Sequence, residues 1–187
     1  QCAQAQPPIG SGYESLAMGA AHSCALDASG DAECWGYSGS GRTSPPLGEQ
    51  FIELAGGDRH TCGINSLNAV RCWGVGESAS ASTSHDCLDY GACGQAAPPS
   101  GEYLDVGAGG RHSCATDFIS GEAICWGDND EGQLDAPLGV AFVKLSLGWE
   151  HSCGITTEGL MKCWGQGSSS SIEACVPDGN CGQSIVP

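Results

Sequence analysis

A motif that recurs four times constrains the fold of this 187-residue chain more than any other feature. Each copy begins with His-Ser-Cys or His-Thr-Cys and ends with Cys-Trp-Gly. The copies occupy residues 22–36, 60–74, 112–127 and 151–165. Internal similarity of this kind is typical of repeat proteins, in which each copy forms one small structural unit that packs on its neighbours.

Each copy predicts a two-stranded antiparallel hairpin. In the first copy, turn-forming residues occupy positions 28–31, between two short runs of alternating residue character. A turn centred there places Cys24 opposite Cys34 and Leu26 opposite Ala32. Because directly opposed residues have Cα atoms about 4.5–5.5 Å apart, the two cysteines lie within the usual reach of a disulfide.

The third copy differs from the others in the length of its turn. Its cysteines are eleven positions apart, whereas those of the other copies are ten apart. One extra residue must be accommodated, so we expect a bulge or a longer turn near residues 118–121.

A further short strand is predicted before each hairpin, because an aromatic and an aliphatic residue recur there three positions apart. One unit therefore comprises about three strands and a variable connection, and it is too small to bury its apolar side chains alone. We expect a lead-in segment over residues 1–12 and a single repeat domain over residues 13–187. Its units are expected at residues 13–50, 51–102, 103–141 and 142–187.

Thirteen cysteines favour a disulfide framework and hence an oxidising, extracellular compartment. Four pairs lie across the predicted hairpins, and two more share a Cys-x5-Cys-Gly-Gln pattern. Zinc is the alternative, but each unit supplies one His and two Cys where a closed zinc site takes four ligands. Cys2 has no local partner and predicts an intermolecular bond or a free thiol. The predicted pairs are Cys24 with Cys34, Cys62 with Cys72, Cys114 with Cys125, Cys153 with Cys163, Cys87 with Cys93, and Cys175 with Cys181.

The charge and hydropathy of the chain argue against two classes of partner. Asp and Glu total 22 and Lys and Arg total 6, giving a formal net charge of −16. Nucleic acid needs a positive binding surface, so we expect no nucleic-acid partner.

No apolar run is long enough to span a bilayer, and no signal peptide is present, so we expect the mature form of a secreted protein. The serine runs at 78–84 and 168–171 are candidates for O-glycosylation.

The units resemble the regulator of chromosome condensation repeat family. Its repeats carry an aromatic residue, a Leu or Val, then His-Ser-Cys, and later Cys-Trp-Gly followed by Asn-x-x-Gly-Gln-Leu; residues 125–134 match this pattern best. The resemblance implies an all-β fold of β-propeller type, with each blade a small antiparallel sheet. The family's closed propellers usually carry seven blades, so a four-bladed ring, an open stack and closure through another chain are alternatives here. The resemblance does not determine function, because the family includes an exchange factor, a photoreceptor and a secreted β-lactamase inhibitor.

Few residues qualify as chemical sites. No serine lies in a nucleophile elbow and no residues form an evident triad, so we expect no enzyme activity and no cofactor. The four repeat histidines are expected to be structural, each hydrogen-bonded to the backbone of a neighbouring unit. Asp128, Asp130 and Glu131 are weak calcium candidates, with a solvated acidic loop as the alternative. Trp149 lies outside the repeat pattern and is a candidate contact residue.

These observations favour a secreted, non-catalytic structural or protein-interaction module. Residues 2–8 resemble residues 93–99, so the chain opens with what resembles the end of a preceding unit. This predicts head-to-tail self-association, which produces a ring if the rotation closes and a filament if it does not. The alternative is a monomeric secreted binder or enzyme inhibitor that uses the loops on one propeller face.

Overall fold

The computed structural model describes residues 3–77 and 92–167. Cys2, Cys87, Cys175, Cys181 and both serine runs lie outside the described residues, so the predictions made for them stay predictions.

The described chain is all-β, as the repeat pattern predicts. Its strands form four three-stranded antiparallel sheets, each a simple meander, which we call units one to four. A short 3-10 helix, Gly39–Gly41, follows unit one. The strands are β1 Tyr13–Met18, β2 His22–Asp27, β3 Ala32–Gly36, β4 Phe51–Gly56, β5 His60–Asn65, β6 Val70–Gly74, β7 Tyr103–Ala108, β8 His112–Asp117, β9 Ala123–Gly127, β10 Phe142–Leu147, β11 His151–Thr156 and β12 Met161–Gly165.

The predicted hairpin register is confirmed. Cys24 pairs with Cys34 and Leu26 with Ala32 across β2 and β3. A disulfide joins the second and third strands of every unit, with Cα atoms 4.0 Å apart. This separation is somewhat shorter than predicted and fits the non-hydrogen-bonded pairs of an antiparallel ladder, where side chains approach most closely.

The longer turn of unit three is also confirmed. The amide of Asp27 donates to the carbonyl of Asp31 in unit one, whereas the amide of Asp117 donates to the carbonyl of Glu122 in unit three. The added residue is therefore absorbed in the turn, and Cys114 still pairs with Cys125.

The apolar core lies between units rather than within them. One core cluster combines Cys62 and Ile64 of unit two with Tyr103 and Val106 of unit three. The other clusters join units one and two, and units three and four, in the same way. Because burial of one such side chain contributes about 1.5–3 kcal/mol, each sheet depends on its neighbour for much of its stability.

The four units form an open arc. Packing joins unit one to two, two to three and three to four, and no contact of comparable extent joins four to one among residues 3–77 and 92–167. All four units nevertheless line one shared cavity, through the loops between their first and second strands. The structure of the described residues is therefore that of consecutive propeller blades around a common axis, without ring closure. No helix in this part of the chain is long and apolar enough to cross a membrane.

Candidate interaction site at the joints between units

Each sheet presents a forward face to the next unit and a rear face to the preceding unit. Successive residues of a strand point to opposite faces, so the His and Cys of His-x-Cys share one face and the intervening residue takes the other. In unit one, His22, Cys24 and Leu26 lie on the forward face, while Ser23 and Trp35 lie on the rear face. We call the contact between a forward face and the following rear face a joint.

A buried histidine–hydroxyl pair crosses every internal joint. Nε2 of His22 lies 2.8 Å from Oγ1 of Thr61. Nε2 of His60 lies 2.8 Å from Oγ of Ser113, and Nε2 of His112 lies 2.9 Å from Oγ of Ser152. The histidines therefore bond to the neighbouring unit, as expected. Our prediction of a backbone partner for these Nε2 atoms is wrong. The Ser or Thr that follows the histidine in each motif lies on the rear face of its sheet, and its hydroxyl therefore meets the imidazole of the preceding unit.

The hydrogen bonds of the hydroxyl determine the tautomer of the imidazole. Ser113 Oγ donates to the carbonyl of Gln95, 3.0 Å away. Since its single proton is used there, the Ser113 oxygen accepts from Nε2–H of His60. The other ring nitrogen, Nδ1, is buried and has no hydrogen-bond partner among the described residues.

Burial keeps these imidazoles neutral. Burial lowers the pKa of His60 and of His112 to about 3, and it lowers the pKa of His22 as well. Protonation would place a charge and an unpartnered N–H in the interior, which is costly without a partner. The histidines thus act as neutral hydrogen-bond donors at neutral pH.

A glycine three residues before each histidine makes room for the ring. A Cβ on Gly57 would lie 2.4 Å from Cε1 of His60 and 2.6 Å from the carbonyl oxygen of Gly109 in the next unit. Glycine is required at this position by the close approach of the two units, since no Cβ fits there.

One backbone carbonyl accepts a hydrogen bond from the rear-face tryptophan of every unit, and we call this contact the clasp. Trp126 Nε1 donates to the carbonyl of Gln95, 2.9 Å away, and the Ser113 hydroxyl donates to the same oxygen. The acceptor always lies 31 residues before the tryptophan. The pairs are Trp35 with Gln4, Trp73 with Arg42, Trp126 with Gln95 and Trp164 with Gln133, at 2.9–3.1 Å.

The lead-in supplies this clasp to unit one. The Gln4 carbonyl accepts from Trp35 Nε1 and, at 3.1 Å, from the Ser23 hydroxyl. Gln95 and Gln133 do the same in the connections that precede units three and four. Sequence reasoning missed these carbonyls, although the constant spacing between a Gln and a Trp was a usable signal for three of the four.

An ion-pair cluster joins units two, three and four. Nζ of Lys144 donates to Asp105, 2.5 Å away in unit three, and to Glu53 in unit two. Burial alone would lower the pKa of Lys144, but the hydrogen bonds to Asp105 and Glu53 outweigh it and raise the pKa. Asp105 is buried and also accepts from the amide of Leu145.

Trp149 lies at the shared axial cavity. Its side chain is 58% exposed, and it lines a shallow space of about 200 Å³ together with Met18 and the paired glycines of the loops. The equivalent residues of the other units are Ala20, Asp58 and Gly110. Trp149 is thus exposed, as the sequence suggested, and its role as a contact residue stays a prediction.

The calcium candidates do not converge. Asp128 is buried, and its Oδ2 lies 2.8 Å from Nη2 of Arg111, with which it forms an ion pair. Asp130 and Glu131 are exposed. No group of three or more His, Cys, Asp or Glu side chains that suits a metal occurs in the described ranges. Calcium binding by this loop stays a prediction.

Comparisons with known proteins agree with the geometry. The family model for the regulator of chromosome condensation (RCC1) repeat matches residues 13–42, 104–133 and 142–170, which confirms the resemblance noted from the motifs. No curated protein sequence matches the chain.

Solved propeller structures are similar to the described fold. The CRINKLY WD40 ectodomain of the Arabidopsis thaliana receptor kinase ACR4 is 28% identical, with a TM-score of 0.64 over 86% of this chain and 52% of that one. The ectodomain of the Physcomitrella patens receptor kinase CR4 is 26% identical, with a TM-score of 0.63 over 82% of this chain and 38% of that one.

A third similar structure supports the fold alone. Prp20p from Saccharomyces cerevisiae, described with its binding to Gsp1p and histones, is 18% identical, with a TM-score of 0.63 over 87% of this chain and 48% of that one. The chain therefore spans about half, or less, of the structures that it matches.

Proposed function

This chain is built from regulator of chromosome condensation repeats, and we propose that it is an extracellular, non-catalytic interaction module that associates head to tail with copies of itself. The observation that carries the proposal is the open arc of identical joints. Three joints within the described chain use the same hydrogen bonds, yet among the described residues no packing of comparable extent joins the fourth unit to the first. Association through the two terminal faces yields a filament, or a ring if the rotation closes.

The extracellular location is supported by the disulfides. Every described sheet contains one, and Cys93 is disulfide-bonded as well. Reducing compartments rarely permit such a density of bridges. The similarity to two receptor-kinase ectodomains points in the same direction.

The absence of catalysis in this proposal is supported by the chemistry of the His–Ser pairs. His60 and Ser113 lie at the distance of a catalytic dyad, but both are fully buried and closed to a substrate. The Ser113 proton is held by a backbone carbonyl, and the pKa of His60 is about 3, so the imidazole is a poor general base. The net charge of −16 supports protein rather than nucleic acid as the partner.

The test is the size of the purified chain as a function of concentration. Sedimentation velocity across the micromolar range is expected to show species that grow with concentration and shrink on dilution. Monomers throughout that range would overturn head-to-tail association.

A second candidate is a monomeric secreted binder or inhibitor that uses one propeller face. The exposed Trp149 at the axial cavity favours it. In that case the chain is monomeric, recovers one foreign protein in stoichiometric amount from its native medium, and loses that partner on Trp149→Ala. Retention of the partner by this variant would remove the axial cavity as the binding site.

A further inference from the structure

We infer that the joint between copies repeats the internal joints, with the forward face of unit four receiving the rear face of unit one of a second copy. This inference rests on the proposed self-association and names its contact surfaces. Both terminal faces expose apolar side chains whose equivalents are buried in every internal joint, and the two sets are the two halves of one joint.

In the part of the chain that the structure describes, no sheet covers the rear face of unit one as the preceding units cover its equivalents. Leu16 is 66% exposed, whereas Leu54, at the same position of unit two, is 9% exposed. The corresponding Val106 and Leu145 are also buried. Tyr13 is partly exposed, although the aromatic residues at its position in the other units are fully buried. Tyr13 and Leu16 are thus accessible to solvent on this face, whereas their equivalents are buried between units.

Within residues 3–77 and 92–167, the forward face of unit four also lacks a covering sheet, in the complementary way. Ile155 and Met161 pair across β11 and β12 and are 43% and 55% exposed. Their equivalents in unit two, Ile64 and Val70, are buried against Tyr103 of unit three. Exposed apolar patches of this kind mark interaction sites. Tyr13 and Leu16 are an aromatic and an aliphatic side chain, which is the combination that packs against the forward face of unit two inside the chain.

The polar groups of the two terminal faces match as well. His151 has no hydroxyl partner among the described residues, although the three preceding histidines each have one. Ser23 already donates to the Gln4 carbonyl, as Ser113 and Ser152 donate to theirs, but no imidazole of the described residues donates to its oxygen. A bond from His151 Nε2 to Ser23 Oγ of the second copy completes both groups.

A second copy fits these faces better than an unrelated partner, because the match includes position as well as polarity. Gln4 of the lead-in bonds to unit one as Gln95 and Gln133 bond to units three and four. The rear face of unit one therefore lacks only the contacts that the forward face of a preceding unit would make. The contact is heterologous, since a rear face and a forward face are different surfaces.

Two variants test this assignment. Leu16→Glu disables the rear face, and Met161→Glu disables the forward face. Each variant alone is expected to remain monomeric in sedimentation velocity, and an equimolar mixture is expected to form a dimer and nothing larger, because one good face of each kind remains. Leu47→Glu and Leu138→Glu are matched controls that add the same charge at fully exposed positions of the connections. They are expected to assemble like the parent chain.

The outcomes separate this inference from the function on which it rests. A parent chain that stays monomeric overturns both. A parent that assembles while both Glu variants assemble equally well overturns the inference and leaves self-association standing. Loss of assembly in both variants without a dimer in the mixture shows a different pairing of surfaces and also overturns it. Because Leu16 and Met161 are exposed, circular dichroism and disulfide content are expected to match the parent; the milder Leu16→Ala and Met161→Ala pair, expected to weaken association at least ~10-fold, keeps the test valid if either Glu variant misfolds.

Discussion

Units two and four carry the same motif but stand in different surroundings. In unit two, His60, Cys62 and Ile64 are completely buried beneath unit three. In unit four, the equivalent His151 and Cys153 are partly exposed and Ile155 is exposed. The difference teaches that the forward face acquires its core character from its neighbour, as expected for an array in which stability is shared between adjacent units.

Removal of a hairpin disulfide is expected to have the largest effect on the free energy of unfolding. It should also show the difference between units two and four most clearly. Cys62→Ser with Cys72→Ser should cost about 2–5 kcal/mol, because the bridge is buried and its loss also leaves hydroxyls in an apolar joint. The matched pair Cys153→Ser with Cys163→Ser should cost less, since those cysteines are partly exposed. Chemical denaturation of both variants measures the difference, and equal losses would contradict the comparison.

Truncation of the aliphatic residue that recurs in the first strand of each unit is expected to have the next largest effect on stability. Leu54→Ala should cost about 2–4 kcal/mol, because it opens a cavity in the joint between units one and two. Leu16→Ala removes the same side chain from an exposed face and should change the free energy of unfolding by no more than about 0.5 kcal/mol at dilution that prevents association. A large loss from Leu16→Ala in the monomer would show that this face is already covered.

Acid is expected to weaken the internal joints before the rest of the fold. The folded-state pKa of His60 and of His112 is about 3, below the ordinary value of 6.5, so the unfolded chain binds protons first as the pH falls. Their contribution is complete above pH 6.5 and declines as the pH falls from 6.5 towards 3, because the imidazoles of the unfolded chain bind protons that the buried rings do not.

The control for this pH dependence is His60→Gln. This variant is less stable at neutral pH because the joint loses its imidazole, but its free energy of unfolding should fall less steeply with acid than that of the parent. His151→Gln should leave the slope of the monomer nearly unchanged, because His151 is only partly buried. Denaturation curves at a series of pH values test both statements, and parallel slopes for all three chains would refute them.

Loss of one clasp hydrogen bond is expected to have the smallest effect. Trp126→Phe keeps most of the ring but leaves the Gln95 carbonyl without one donor, at a cost of about 0.5–1.5 kcal/mol. Trp35→Phe removes the equivalent bond to Gln4 at a more exposed position, where water replaces it, and should cost less. Thermal unfolding monitored by circular dichroism compares the two, and a larger loss for Trp35→Phe would mean that the lead-in is more important than the joints.

Part of the candidate site was accessible from the sequence. The spacing of Cys24 and Cys34 predicted both the strand register and the disulfide, and the resemblance of residues 2–8 to 93–99 pointed to a lead-in that acts like a preceding connection. The partner of each histidine was not accessible in the same way, because Ser113 lies 53 residues beyond His60 and meets it only through the packing of two sheets.

The sequence by itself determined the units: period-two alternation, turn residues and cysteine spacing are local, so they specify each hairpin without reference to the rest of the chain. Only the tertiary structure decided which face of each sheet is covered, that the described units form an open arc, and that Leu16 and Met161 remain exposed while their equivalents are buried. The physical reason is that burial depends on the neighbour that lies against a face, and four nearly identical motifs contain no local signal of whether such a neighbour is present.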